Sequence, residues 1–80
     1  MKRGDLVRIT PFSGSSYLYE RIHKGDYLIK ECGLINESDV GIVLEVEVRR
    51  EKLTFARIFT PKSSGWIPSW YLQNIPVRGV

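Results

Sequence analysis

The chain reads as a small all-β barrel or sandwich. One apolar/polar alternation of strand period, several short apolar runs divided by turn signals, and the lack of any helical period over three turns support this. At 80 residues it has room for a single domain. Its 42% apolar and 26% charged composition is that of a globular protein.

Arg3-Gly4-Asp5 is a turn signal that feeds a short strand, Leu6 to Ile9. Thr10 to His23 reads as a long loop with aromatic content, containing Phe12-Ser13-Gly14-Ser15-Ser16 and Tyr17-Leu18-Tyr19. Lys24-Gly25-Asp26 repeats the turn signal ahead of a second strand at Tyr27 to Lys30. Asp39 to Val48 is the clearest strand: Val40, Ile42, Leu44, Val46 and Val48 fall on every second position. Val40, Ile42, Leu44 and Val46 are therefore expected to be buried together. Four charges, Arg49-Arg50-Glu51-Lys52, break the pattern as a hairpin loop would. Leu53 to Thr60 resumes it, but its parity switches between Phe55 and Ala56, which predicts a bulge there or burial on both faces. Pro61 to Gly65 is a turn, Gly65 to Pro68 a short aromatic strand, and Ser69 to Leu72 one tight helical turn. The domain is expected over 1–75, with a frayed tail over 76–80.

Composition narrows the function. No run from the apolar set exceeds three residues, so neither a spanning helix nor the apolar stretch of a signal peptide is expected, and the chain is assigned to a cytoplasm. Cys32 is the only cysteine and His23 the only histidine, too few for an internal disulfide or a structural zinc site. Cys32 and His23 have no third group to orient them, and no phosphate-cradling loop or diagnostic carboxylate pair occurs. No enzyme, metal or cofactor is expected. Arg3-Gly4-Asp5 is read as a turn rather than an adhesion tripeptide. Asn36-Glu37-Ser38 means nothing as a glycosylation acceptor without secretion.

The stretch Gly65-Trp66-Ile67-Pro68-Ser69-Trp70-Tyr71-Leu72 resembles the end of a Src-homology-3 (SH3) domain, with Pro68, Ser69, Tyr71 and Leu72 in register. Lys24-Gly25-Asp26 with Leu28 and Ile29, and Ala56-Arg57, echo two further family positions. The family's opening aromatic motif is absent, with Tyr17 to Glu20 a faint counterpart. The tryptophan that begins its third strand is missing near Leu53, so the resemblance favours the barrel over proline-rich recognition. A second register is similar to small SH3-like proteins of tailed bacteriophages, of cyanophage type. It uses Arg3 to Val7, Gly41 to Glu45 and Gly65 to Leu72, and makes Thr10 to Ser38 a long insertion. This register covers the whole chain and is preferred. Either way the resemblance implies a five-stranded SH3-like barrel with one short 3-10 turn near the C-terminus.

Two surfaces are candidates for the work. Alternation around an inward Ile67 sends Trp66 outward, and Pro68, Trp70 and Tyr71 follow it closely. With Tyr17 and Tyr19 they would form an aromatic binding face, because clustered exposed aromatics mark partner sites. The structural alternative places one tryptophan in the core and the other over a barrel end. The basic alternative uses Arg49, Arg50, Lys52 and Arg57 against phosphates, in a chain of net charge +3. Glu45, Glu47 and Glu51 stand beside those arginines and would sooner pair with them. The expected function is a non-enzymatic, phage-encoded module that binds a protein. A nucleic-acid-binding barrel is the second reading, and a virion or assembly component the third. No membrane partner is expected, and the aromatic face could also pair two copies of the chain.

Overall fold

The computed structural model describes residues 1–50 and 53–76. They form seven strands rather than the five expected: β1 (Leu6–Ile9), β2 (Ser15–His23), β3 (Tyr27–Asn36), β4 (Gly41–Arg50), β5 (Leu53–Phe59), β6 (Ser64–Pro68) and β7 (Leu72–Asn74). A 3-10 turn over Ser69–Tyr71 separates β6 from β7, as the sequence predicts. The sheet is antiparallel, ordered β3-β2-β6-β5-β4-β1-β7, and curled into a half-barrel.

Of the two additional strands, β2 comes from the segment read as a long loop, and β7 starts at Leu72, read as the end of the helical turn. Ser15 to His23 is a full strand, paired with β3 from Ser15–Asn36 down to His23–Tyr27. Serine, glutamate and arginine interrupt its apolar pattern, so the period was invisible. Its partner strand supplies the hydrogen bonds that hold it extended. The turn at its end was legible: Gly25 and Asp26 both adopt left-handed backbone, φ 87° and 66°, a conformation glycine tolerates and aspartate accepts more readily than most residues.

The concave face buries Val7, Ile9, Leu18, Ile35, Val43, Ala56, Ile58, Ile67 and Leu72, with Val46 and Tyr71 packed against them. β1 and β5 contribute by alternation, while β2 and β3 give one residue each, Leu18 and Ile35. On β4 the expected burial of Val40, Ile42, Leu44 and Val46 is overturned. Val40 and Ile42 are exposed, Val43 is buried, and Leu44 is half-buried. The register slips between Val43 and Glu45, so one extra residue reverses which parity faces inward. Val46 consequently packs against the core, while Val48 lies beyond it and is exposed. On β5, Phe55 and Ala56 are both buried; the bulges sit opposite, in β4, and Phe55 lies on the convex face.

The β2–β3 hairpin packs closely against β6. A Cβ on Gly65 would stand 2.8 Å from the Tyr19 carbonyl oxygen and 2.9 Å from both Cys32 Sγ and Leu18 Cβ. A Cβ on Gly33 would stand 2.5 Å from Ser63. Only glycine leaves room for these neighbours. Thr60 closes the β5–β6 turn: its hydroxyl donates to the Ser63 carbonyl at 3.0 Å and accepts the Ser63 N–H at 3.1 Å. No helix among the described residues is long and apolar enough to cross a membrane.

Candidate functional site

The six aromatic-face candidates are divided between two places. Tyr19 pairs with Trp66 across β2 and β6, and Trp66 pairs with Arg57 on β5. Ile67 is fully buried, so alternation does turn Trp66 to the convex face, where it is half-buried. Tyr17, two residues before Tyr19 on β2, is exposed. Pro68 pairs with Phe55 on that face, yet both are buried.

Trp70 and Tyr71 belong to the end of the sheet. The 3-10 turn places their rings 6.1 Å apart at a 37° tilt. Tyr71 leans on the core, and Trp70 stays 56% exposed. Pro68 and Tyr71 were expected side by side on one face. Instead Pro68 takes the convex side, and Tyr71 turns to the core.

A residue that sequence reasoning passed over stands on the neighbouring turn. The Tyr71 carbonyl accepts the Thr10 N–H at 2.9 Å, which seats the β1–β2 turn against the 3-10 turn. That β1–β2 turn is well braced. The Ser13 N–H donates to the Thr10 carbonyl at 3.0 Å, the two hydroxyls share a 2.6 Å hydrogen bond, and Gly14 takes φ 70°. At its tip Phe12 is 100% exposed. The signal was present: a Phe between Pro11 and Ser13-Gly14 sits in turn-forming sequence, where its ring cannot reach a core. Beside it lies an open cleft of about 200 Å³ lined by Arg8, Ile9, Pro11 and Glu37, below the size of an ordinary small-molecule pocket.

The basic candidates are engaged. Arg57 donates from Nε and Nη2 to Glu45 Oε1, at 2.8 and 2.7 Å across the β4–β5 ladder. Arg50 Nε lies 2.9 Å from Asp26 Oδ2, and Arg49 lies between Glu47 at 3.4 Å and Asp26 at 4.0 Å. Lys52 lies outside the described residues. A carboxylate beside each of these arginines neutralises the positive field that phosphate binding requires. Among the described residues no group of three His, Cys, Asp or Glu side chains is placed to hold a metal ion.

The fold and its surface define a class: a small all-β domain, a curled antiparallel sheet that presents aromatics from two connected turns at one end. No protein-family model, curated protein or solved structure matches the chain.

Proposed function

We propose that this chain is a non-enzymatic, SH3-like binding module, phage-encoded and acting in the host cytoplasm, that docks a protein partner on Trp70 and Phe12. Exposure carries the reading. A tryptophan more than half exposed and a phenylalanine wholly exposed stand on two turns joined by the Thr10–Tyr71 hydrogen bond. Both turns are internally braced, so the rings are presented at little conformational cost, the property that makes aromatics dominate binding energy. The strand arrangement supports the SH3-like part. β6-β5-β4-β1-β7 is a run of five neighbouring strands with the 3-10 turn ahead of β7, and in this reading β2 and β3 are an insertion after β1.

The test is capture by the immobilised chain, with bound material identified as protein or nucleic acid. Trp70→Ala and Phe12→Ser should each release the retained protein, at a cost of at least about 2 kcal/mol, or roughly 30-fold in Kd. Their thermal melts should match the parent. Capture that ignores both substitutions refutes this surface. Tight oligonucleotide binding at low salt, abolished by reversing Arg49 and Arg50 to Glu, would install the nucleic-acid reading in its place.

A further inference from the structure

The β2–β3 hairpin touches the rest of the sheet in an unusual way. β2 meets β6 at one register pair, Tyr19 with Trp66. Beyond it, Arg21, Ile22 and His23 pair with Ile29, Leu28 and Tyr27 of β3. The hairpin tip nevertheless reaches β4, which lies beyond β6 and β5 in the sheet order. Asp26 Oδ2 sits 2.9 Å from Arg50 Nε, and Oδ1 sits 4.0 Å from Arg49 Nε. The Asp26 side chain is only 12% exposed there.

Those two anchor points fix the path between them. Three interstrand spacings separate β2 from β4, about 15 Å, and the chain from Tyr19 to Asp26 spans at most about 23 Å when extended. The arm is therefore long enough to reach β4 across the face of the sheet. Arg49 also contacts Glu47, which pairs with Phe55, so the crossing is on the convex side. Pro68 and Phe55, paired to each other, lie between the Tyr19–Trp66 junction and the end of β4. Both are buried, and neither belongs to the concave core cluster. Their burial is what a crossing arm would produce. The arm also holds both non-glycine residues with left-handed backbone among those described, Asp26 at φ 66° and Lys30 at φ 64°.

We propose that the β2–β3 hairpin is a strap, held over an apolar seat at Phe55 and Pro68 by the ion pairs of Asp26 with Arg49 and Arg50, and able to lift without unfolding the barrel. Arg50 is largely exposed, so salt screens its part of the latch and the strap opens under conditions the core survives. This device does not depend on the Trp70 surface.

Residue-resolved amide hydrogen exchange on the full chain tests it. Asp26→Asn keeps a residue that accepts left-handed backbone while removing the charge. In that variant amides at 21–29 should exchange about ten-fold faster or more, while those of Val7, Val43 and Ile58 change less than about two-fold. Arg49→Gln with Arg50→Gln should act alike, and combining all three should add nothing further, because the same pairs are lost. Should the variants fail to fold, raising salt on the parent chain from about 0.05 to 1 M makes the same comparison, since screening shortens from more than 10 Å to about 3 Å. Equal acceleration of arm and core would show that the hairpin is no separable unit, and an arm indifferent to both charge removal and salt would show that no latch exists. Either result overturns the proposal.

Discussion

Two adjacent residues on β4 test the core assignment directly. Val43 is 1% exposed and Ile42 is 43% exposed, on opposite faces of one strand. Val43→Ala deletes two methyl groups from the packed concave face. At about 0.8 kcal/mol per buried carbon, plus a cavity its neighbours only partly fill, the loss is about 2 to 3 kcal/mol. Ile42→Ala removes more carbon, but from the half-wet convex face beside Leu6 and Phe59. It should cost about 1 kcal/mol or less, mostly lost strand preference and cross-strand contact. For a domain of this size 1 kcal/mol moves Tm by about 4 to 8 °C. Val43→Ala should therefore lower the midpoint by roughly 8 to 24 °C, and Ile42→Ala by less than about 8 °C. Thermal denaturation followed by circular dichroism reads both, with chemical denaturation to check that the slope is unchanged. If Ile42→Ala proves the more damaging, the bulge-shifted register is wrong and the even-numbered face of β4 is the buried one.

The remaining expectations are smaller or more local. Gly65→Ala should destabilise by about 1 to 3 kcal/mol in a denaturant titration, the usual cost of overpacking, because its methyl meets a backbone carbonyl that cannot turn aside. A neutral titration at Gly65 would mean that the β2–β6 crossing is looser than described. Arg57→Gln, Glu45→Gln and their double variant should yield a coupling of only about 0.2 to 1 kcal/mol, since both side chains are well solvated. A coupling several times larger would assign that pair a structural role beyond surface pairing.

Much of the barrel was legible in local chemistry. The turns at Arg3-Gly4-Asp5, Lys24-Gly25-Asp26 and Pro61 to Gly65 need particular backbone conformations, and glycine, aspartate and proline declare them. The strand at Leu53, the inward Ile67 with an outward Trp66, and the 3-10 turn after Pro68 followed from alternation and motif alone. The exposure of Trp70 was likewise anticipated from its place in the resembled motif.

Tertiary structure decided the rest, because the deciding interactions join residues far apart in sequence. β2 carries no clean period; its conformation is imposed by hydrogen bonds to β3 and by the glycines that admit it beside β6. The face that β4 buries depends on a one-residue slip against β5, and period-2 alternation reads the same whichever face is inside. Pro68 lost its expected place on the binding face because it is buried, while Phe12 gained one because Tyr71 holds its turn in position. The pairing of Asp26 with Arg49 and Arg50 closes a gap of more than 20 residues, a distance over which charge pattern alone specifies no partner. The sequence by itself thus determined the all-β class and where the chain turns; which face is wet, and which aromatic is free to bind, was set by how the strands cross.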